Sequence, residues 1–312
     1  MRILNRKTQI DFMRFARIAV TISAVLVVAG IVSLATRGLN LGLDFTGGTL
    51  IEVGYENAPD TAKVRDDLAA AGMNAQVQVF GAATEILVRI PPGDDEETSA
   101  DLSTRVLETL SAGADGGVEM RRVEFVGPQV GDELTEQGIL AVLYALIGIF
   151  LYVMFRFQWR FSVGAVTAVV HDIIVTMGFL SFTHVEFDLT VVAALLAVVG
   201  YSLNDTIVLF DRIRENFPRL RKKSAREVVN TSVNQTLSRT LMTSLTTLLV
   251  LIALAAFGGE IIHAFALTLI VGIVVGTYSS IYVASTALLA LGVSKYDLMP
   301  VEKEGAEVDA LP

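Results

Sequence analysis

The chain has 312 residues, of which 53% are hydrophobic and 18% are charged. This hydrophobic content excludes an ordinary soluble globular domain, and the charged residues cluster in a few stretches. The absence of cysteine excludes disulfides, thiolate metal sites and cysteine nucleophiles. The net charge of −9 conceals a basic start and an acidic inserted segment, which are more informative than the total.

Apolar runs long enough to cross a bilayer core of about 30 Å occur in six places. The first, about Ile18–Thr36, follows a basic N-terminal arm at residues 1–17 and lacks a small-residue cleavage site, so it predicts a retained helix. The other five, within residues 138–291, are Gly138–Phe155, Phe161–Thr183, Leu189–Phe210, Leu241–Phe257 and Ile262–Leu291. The last run is long, so we expect it to tilt or to emerge past the headgroups.

The segment between the first two runs, residues 37–137, has the pattern of a compact α+β domain. Strand-like and helix-like runs follow one another in the order βαββαβ, which is typical of a ferredoxin-like domain. The runs are Thr49–Glu56, Pro59–Gly72, Ala75–Phe80, Glu85–Ile90, Ser99–Leu110 and Val118–Phe125. Gly81–Thr84 predicts a hairpin loop, and the acidic run Asp94–Glu97 is interpreted as a solvated helix start rather than a metal site.

Basic segments alternate along the chain with segments that contain no Lys or Arg. The N-terminal arm contains five basic residues and the segment at about 211–240 contains eight, whereas the loops His184–Asp188 and Gly258–Glu260 contain none. Both termini, including a flexible tail at residues 292–312, are therefore expected in the cytoplasm. The inserted domain is then expected in the periplasm, and its seven basic against nineteen acidic residues agree with that side.

Ionisable residues inside apolar runs are the candidates for function, because each one costs about 2.5–3.5 kcal/mol near the bilayer centre. Asp205 lies in the fourth run, with Tyr201 and Ser202 about one turn earlier and Asn204 beside it. A carboxyl group placed between hydrocarbon and a cation can exchange a proton near neutral pH. The alternative is a structural carboxylate that hydrogen-bonds a neighbouring helix.

A histidine–aspartate pair and one arginine complete the set of candidates. His171 and Asp172 lie near the middle of the third run, where histidine titrates in the physiological range; the alternative is a neutral pair that locks two helices. Arg239 opens the fifth run, and orientation and snorkelling alone explain an arginine there. It is also the cation placed to enter the bundle near Asp205.

Other local patterns indicate helix geometry rather than chemistry. Ser224–Glu227 has the spacing of a capping box, which predicts a helix start. Small residues recur at every fourth position of the sixth run, at Gly272, Gly276, Ser280 and Ala284, and favour close packing inside the bundle over a dimer seam. No phosphate-binding loop, metal-ligand spacing or nucleophile triad is present, so we expect no enzyme activity, no cofactor and no nucleic-acid partner.

Four sequence blocks, together with the plan of six spans, carry a resemblance that extends over about Leu39–Leu291. The blocks are Leu41–Thr49 with the glycine pair Gly47-Gly48, then Gly127–Gly131, Val199–Val208 followed by Asp211–Asn216, and Gln235–Thr240. They resemble the SecD/SecF family of bacterial protein-export membrane proteins. The block in the fourth span is the most specific, and the glycine pair alone would be weak.

The resemblance implies a fold and partners that composition does not. The fold would be half of a resistance–nodulation–division-type bundle, with Asp44, Gly47 and Gly48 in a structural motif beside the first span. The partners would be SecD, which supplies six more helices, the SecYEG channel, YajC and the unfolded chain being exported across the inner membrane. The acid and the arginine that matter for proton conduction in the family would correspond here to Asp205 and Arg239. The sequence around His171 and Asp172 also resembles the family.

The resulting hypothesis is that Asp205 alternates between a protonated form and an ionised form paired with Arg239, and that this change moves the inserted domain. Two alternatives from other classes stay open. One is a non-conducting scaffold for a membrane complex, and the other is half of a proton-coupled lipid or drug transporter. Sodium also stays open as the coupling ion.

Overall fold

The computed structural model describes residues 9–92, 98–114 and 116–293. The predicted acidic helix start at Asp94–Glu97 lies outside the described residues, as do the first eight residues of the N-terminal arm and nearly all of the predicted tail. Within the described ranges, a bundle of long helices carries one small α+β domain.

Six helices are long and apolar enough to cross a membrane, as predicted. The first is α1 at Ala16–Arg37, preceded by a 3-10 turn at Phe12–Phe15. The next four are α5 at Pro128–Arg156, α6 at Trp159–Thr183, α7 at Leu189–Arg219 and α8 at Ala225–Phe257. The sixth comprises α9 at Glu260–Ser279, a π-helical turn at Ser280–Ala284 and α10 at Ser285–Ala290.

The inserted domain has the predicted βαββαβ order. Its elements are β2 at Gly48–Tyr55, α3 at Thr61–Ala70, β3 at Gln76–Phe80, β4 at Ala82–Ile90, α4 at Ser99–Gly113 and β5 at Val118–Val126. The four strands form an antiparallel sheet in the order β3-β4-β2-β5, which is the ferredoxin-like arrangement. Apolar residues that alternate along the strands, such as Ile51 and Val53, are fully buried against helix residues such as Leu68 and Val106.

Two connections of this domain differ from the sequence prediction. The β3–β4 turn is tighter than the expected loop at Gly81–Thr84, because β4 already begins at Ala82 and Gly81 takes a positive φ of 71°. Helix α5 begins at Pro128, ten residues before the predicted edge at 138, so the helix extends beyond the apolar run.

Two short elements join the domain to the bundle. Strand β1 at Asn40–Leu41 pairs in parallel with β6 at Glu186–Phe187, and a single helical turn, α2 at Leu43–Thr46, leads into the sheet. We call the end of the bundle that carries these elements the domain end, and the opposite end the far end. Helices α1, α6 and α8 finish at the domain end, whereas α5, α7 and α9 begin there.

The predicted basic loop at about 211–240 is mostly helical. Helix α7 continues to Arg219 and α8 starts at Ala225, so the two helices extend beyond the apolar runs as a hairpin at the far end. The side-chain amide of Asn216 bonds to Ser232 and Gln235 across this hairpin. These contacts, and the burial of apolar side chains between the helices, override the loop-like composition of the segment.

Two local helix predictions are confirmed. Ser224 and Glu227 form the capping box that begins α8. The stripe of small residues packs inside the bundle, because a Cβ atom added at Gly272 would lie 2.1 Å from Val198 of α7. The last predicted span is not one straight helix, however, since the π-helical turn interrupts it within the same stripe.

Candidate functional site

Asp172 is the most completely buried acid in the described part of the bundle, with 1% of its surface exposed. One carboxylate oxygen accepts hydrogen bonds from Ser202 of α7 at 2.5 Å and from Ser279 of α9 at 2.7 Å. The other oxygen lies 2.9 Å from Nδ1 of His171. The carboxylate therefore joins three helices, and the two hydroxyl donors offset part of its desolvation.

His171 lies beside Asp172 on α6 and is also buried. Its ring centroid is 6.4 Å from that of Tyr278, whose hydroxyl donates to the carbonyl of Ala19 in α1. Nε2 of His171 is buried and has no hydrogen-bond partner within the described ranges. The predicted pair thus exists as a contact, and one imidazole nitrogen remains available to a further partner.

Asp205 is buried as well, at 7% exposure, but its surroundings differ from those of Asp172. The only side-chain hydrogen bond to its carboxylate within the described structure comes from neighbouring Asn204, at the long distance of 3.5 Å. Asp205 lies three residues, slightly less than one helical turn, beyond Ser202 on α7, and Ser202 is the residue that donates to Asp172 of α6. Hydrogen bonds therefore offset much less of the desolvation cost for the Asp205 carboxylate than for the Asp172 carboxylate.

Arg239 is the cation whose charge acts on Asp205. It lies on α8 and is exposed on the outside of the single chain. Within the described residues no nitrogen–oxygen contact of 4 Å or less joins it to Asp205, so the structure holds the two groups near each other but unpaired. The ion pair of the hypothesis stays a prediction.

The supporting polar residues occupy two different positions. Ser202 points inward to Asp172, whereas Tyr201 and Asn204 lie on an exposed face of α7. The hydroxyl of Tyr201 is 2.7 Å from that of Thr247 on α8. We call the exposed set of Tyr201, Asn204 and Arg239 the polar face. Tyr201 and Asn204 lie within four residues of Asp205 on α7, a helix long and apolar enough to cross a membrane.

Ser279 was not anticipated from the sequence. Serine is common in apolar spans, and only the position of Ser279 beside Ser280 of the small-residue stripe connects it with a close helix contact. The motif residues Asp44, Gly47 and Gly48 lie elsewhere, at the domain end. The structure therefore brings His171, Asp172, Ser202 and Ser279 into contact, and it separates the glycine motif from them. Asp205 lies three residues from Ser202 on α7, with Arg239 near it.

Comparison with known families decides where this arrangement belongs. Residues 106–294, more than half of the chain, match the family model described as protein export membrane protein SecD/SecF, C-terminal. The chain belongs to the SecD/SecF family. Residues 32–59 also match the SecD/SecF GG motif, which covers α2 and the glycine pair.

Relatives of the SecD/SecF family align along the entire length of the chain. The protein translocase subunit SecF of Vibrio alginolyticus is 55% identical, and the alignment covers 100% of this chain and 99% of that relative. A crystal structure of SecDF, a translocon-associated membrane protein from Thermus thermophilus, superposes with a TM-score of 0.82 at 41% identity. That match covers 91% of this chain but 39% of the SecDF chain, so the present chain corresponds to a part of SecDF.

A second crystal structure, of SecDF in its Super-membrane-facing form, matches the same shares of both chains at the same identity. Its TM-score is 0.69, lower than the 0.82 of the first structure. The two SecDF structures therefore differ in the arrangement of the elements that correspond to this chain.

Proposed function

We propose that this chain works with SecD to couple the proton motive force to protein export across the bacterial inner membrane. Asp205 is the proton-exchanging group, and Arg239 is the cation that pairs with its ionised form. The observation that carries this proposal is the burial of Asp205 without a strong hydrogen-bond donor. An ionised carboxylate in such a place is costly, so a change of protonation favours a change of helix packing.

The distribution of charge supports an orientation with both termini in the cytoplasm. At the domain end, the loops His184–Asp188 and Gly258–Glu260 lack Lys and Arg, whereas the hairpin of α7 and α8 at the far end is rich in them. The positive-inside rule then assigns the far end to the cytoplasm and the inserted domain to the periplasm. Asp205 lies between the two aqueous sides, as a proton carrier must.

The polar face supports the role of SecD as the second half of the bundle. Tyr201 is 37% exposed and Asn204 is exposed at a depth where the surroundings would otherwise be hydrocarbon. Packing of a second set of helices on this face would bury both residues together with Arg239. The covered Arg239 would then be drawn toward Asp205, because each charge lowers the desolvation cost of the other.

His171 and Asp172 have a second role in the proposal. Asp172 retains its bonds to α7 and α9 and holds these helices around the proton path, while the buried Nε2 of His171, beside Asp172 on α6, is available to a further partner. SecYEG and YajC are the further partners, and the substrate is an unfolded chain that leaves the channel on the periplasmic side. Each proton that crosses supplies about 2.3 kcal/mol per 100 mV, enough to bias a domain movement about tenfold or more.

The test is export into membrane vesicles that contain this chain, SecD and SecYEG, with and without an imposed proton gradient. Asp205→Asn should abolish the gradient-dependent part of export, because the amide cannot exchange a proton, while the complex still assembles. Glu133→Gln is the matched control, since it removes one acid from the spanning helix α5 and leaves export unchanged. Arg239→Met should lower the gradient-dependent part in the same way.

Full gradient-dependent export by the Asp205→Asn variant would reject the assigned role of Asp205. If export then depended only on the amount of assembled partner, a scaffold would explain the protein better. Replacement of the proton gradient by a sodium gradient in the same vesicles identifies the coupling ion. Export that responds to sodium alone would replace the proton in this proposal.

A further inference from the structure

The glycine motif forms a joint between the inserted domain and the bundle. Helix α2 is a single turn whose two apolar side chains point to opposite sides. Leu43 packs against Leu50 and Leu87 on the sheet of the domain, whereas Phe45 packs into a bundle cluster that includes Phe187 and Val191. The ring centroids of Phe45 and Phe187 are 5.6 Å apart. This single helical turn therefore packs against the inserted domain and the helix bundle at the same time.

Asp44 binds the joint to helix α7. Its carboxylate accepts a hydrogen bond of 3.0 Å from the backbone N–H of Leu189, the first residue of α7. Asp188 caps the same end by accepting from Val191 at 2.8 Å. Two carboxylates therefore satisfy two free N–H groups where the helix dipole favours negative charge. One of these caps comes from the segment that begins the inserted domain.

Arg89 makes the corresponding connection from the middle of the sheet. It lies on β4, and one guanidinium nitrogen donates to the carbonyl of Leu41 at 2.9 Å. A second nitrogen forms an ion pair with Glu186 of β6, two residues before the cap of α7. The Arg89 side chain is 13% exposed, so this pair is better protected from water than the other ion pairs of the domain.

Backbone geometry explains why the motif needs two glycines. Gly47 has a φ of 64° and Gly48 a φ of 115°, a region that other residues adopt only with strain. A Cβ atom at Gly48 would lie 2.4 Å from the carbonyl oxygen of Ile90, the last residue of β4. The chain can therefore turn from α2 into the sheet only if both positions lack a side chain.

The joint contacts the first residue of α7, and Asp205 lies much farther along the same helix. Asp205 is sixteen residues after Leu189 on α7, a distance of about 24 Å along a continuous helix. An apolar cavity of about 370 Å³ lies directly beneath the joint and is lined in part by Phe45, Phe187 and Val192. Residues of both α5 and α7 line this cavity, among them Ile139 and Val199, so the two helices are not packed tightly against each other beside it.

We propose that Asp44 and Arg89 are positioning residues that hold the inserted domain to the first turn of α7. The orientation of the domain then follows α7, the helix that carries Asp205. This inference rests on the proposed function only where it links the orientation to export. The orientation itself is measurable in the purified chain without a partner, a gradient or a substrate.

The test uses pulsed electron paramagnetic resonance on the full chain in lipid nanodiscs. The natural absence of cysteine allows spin labels at two introduced cysteines, Asp66→Cys on α3 and Ala256→Cys near the end of α8, both exposed positions. Asp44→Ala and Arg89→Ala should each broaden the distance distribution. We expect the population at the native distance to fall about fivefold relative to the displaced orientations, which corresponds to about 1 kcal/mol.

Conservative variants separate positioning from a general loss of folding. Asp44→Asn keeps an acceptor for the Leu189 N–H and should retain the native distribution. The charge exchange Arg89→Glu with Glu186→Arg should restore most of the order that Arg89→Glu removes. Arg122→Ala is the matched control, because Arg122 pairs with Glu124 within the same strand of the domain and does not reach the bundle.

Each outcome decides part of the inference. Unchanged distributions in Asp44→Ala and Arg89→Ala would overturn the role of both residues in positioning. Broadened distributions with full gradient-dependent export would overturn the link between orientation and export. If export in wild-type vesicles ignores the gradient while the distributions still broaden, the proposed coupling fails and the positioning role stands.

Discussion

Two acids on neighbouring helices illustrate how surroundings decide the role of a residue. Asp172 accepts two short hydrogen bonds from serines and contacts an imidazole, whereas Asp205 has a single long contact from Asn204. A buried charge with several donors is stable in one form, and a buried charge without them changes form at lower cost. Asp172 therefore links three helices through its hydrogen bonds, whereas Asp205, which we propose as the proton-exchanging group, lacks such links within the described residues.

The links made by Asp172 predict a specific effect on stability. Ser279→Ala removes one of two hydroxyl donors from the buried Asp172 carboxylate and should lower the free energy of unfolding by about 1–3 kcal/mol. Ser280→Ala is the control, because within the described residues the Ser280 hydroxyl donates only to the carbonyl of Thr277 in the same span. Thermal unfolding of both variants in nanodiscs measures the difference. Equal melting temperatures would remove Asp172 from the set of structural anchors.

Tyr55 of the inserted domain gives a prediction for alkaline pH. Burial, together with the negative charge of Asp67, raises the pKa of Tyr55 from 10.0 to about 12. The neutral phenol is thus favoured in the folded domain, so its contribution to stability is complete below pH 10 and is lost as the pH rises toward 12. Thermal unfolding between pH 9 and about 12 should show this decline in the wild type and a flatter curve in Tyr55→Phe. Parallel curves would contradict it.

At the scale of the elements, glycines at the points where helices cross allow the helix backbones to approach closely, and this determines how the helices are arranged. Gly30 of α1 and Gly178 of α6 face each other, and a Cβ atom at Gly178 would lie 2.4 Å from Cα of Gly30. The same principle operates where Gly272 of α9 meets Val198 of α7. Contact between these helices depends on backbone approach, which a single methyl group prevents.

Gly178→Ala should therefore destabilise the bundle by about 1–3 kcal/mol, because the methyl group must push α1 away from α6. The control is Gly148→Ala on α5, where no described atom outside the local helix backbone lies within 4 Å of the added Cβ. The better helix propensity of alanine should leave that variant unchanged or slightly more stable, by up to about 1 kcal/mol. Thermal unfolding compares the pair, and an equally stable Gly178→Ala variant would show that the crossing tolerates separation.

At the scale of the whole molecule, the domain and the bundle are connected by more than their covalent links. Strand β5, at one edge of the sheet, continues through Gly127 directly into α5, while α2, β1 and Arg89 attach the middle of the sheet to α7 and β6. The domain is thus held at two separate places. A change in the angle between α5 and α7 would tilt it, which is the movement that the proposed coupling requires.

Orientation in the membrane is testable with the naturally cysteine-free chain. Asp66→Cys in the inserted domain should react with an impermeant maleimide added outside intact spheroplasts, since we assign this domain to the periplasm. Lys222→Cys in the turn between α7 and α8 should react only after the membrane is permeabilised. The reverse pattern of labelling would invert the topology and place the inserted domain in the cytoplasm.

Much of the architecture was predictable because it depends on local patterns. Apolar runs such as Phe161–Thr183 identify spans from length alone, and alternation in Thr49–Glu56 identifies a strand. The limits of the helices were less predictable. The hairpin beyond Phe210 is polar in composition, and its helical state depends on contacts such as Asn216 with Ser232. The site was found in part, since Asp172, Ser202 and Asp205 are polar residues in apolar runs, whereas Ser279 resembles any other helix serine.

The amino-acid sequence by itself determined the six spans, the inserted ferredoxin-like domain and the family, because periodicity, hydropathy and motif blocks are properties of neighbouring residues. The tertiary structure alone decided which polar groups meet. It joined Ser279 to Asp172, left Arg239 unpaired beside Asp205, and placed Asp44 on the first turn of α7. Those contacts link residues up to 145 positions apart, and such distances are closed only when helices pack.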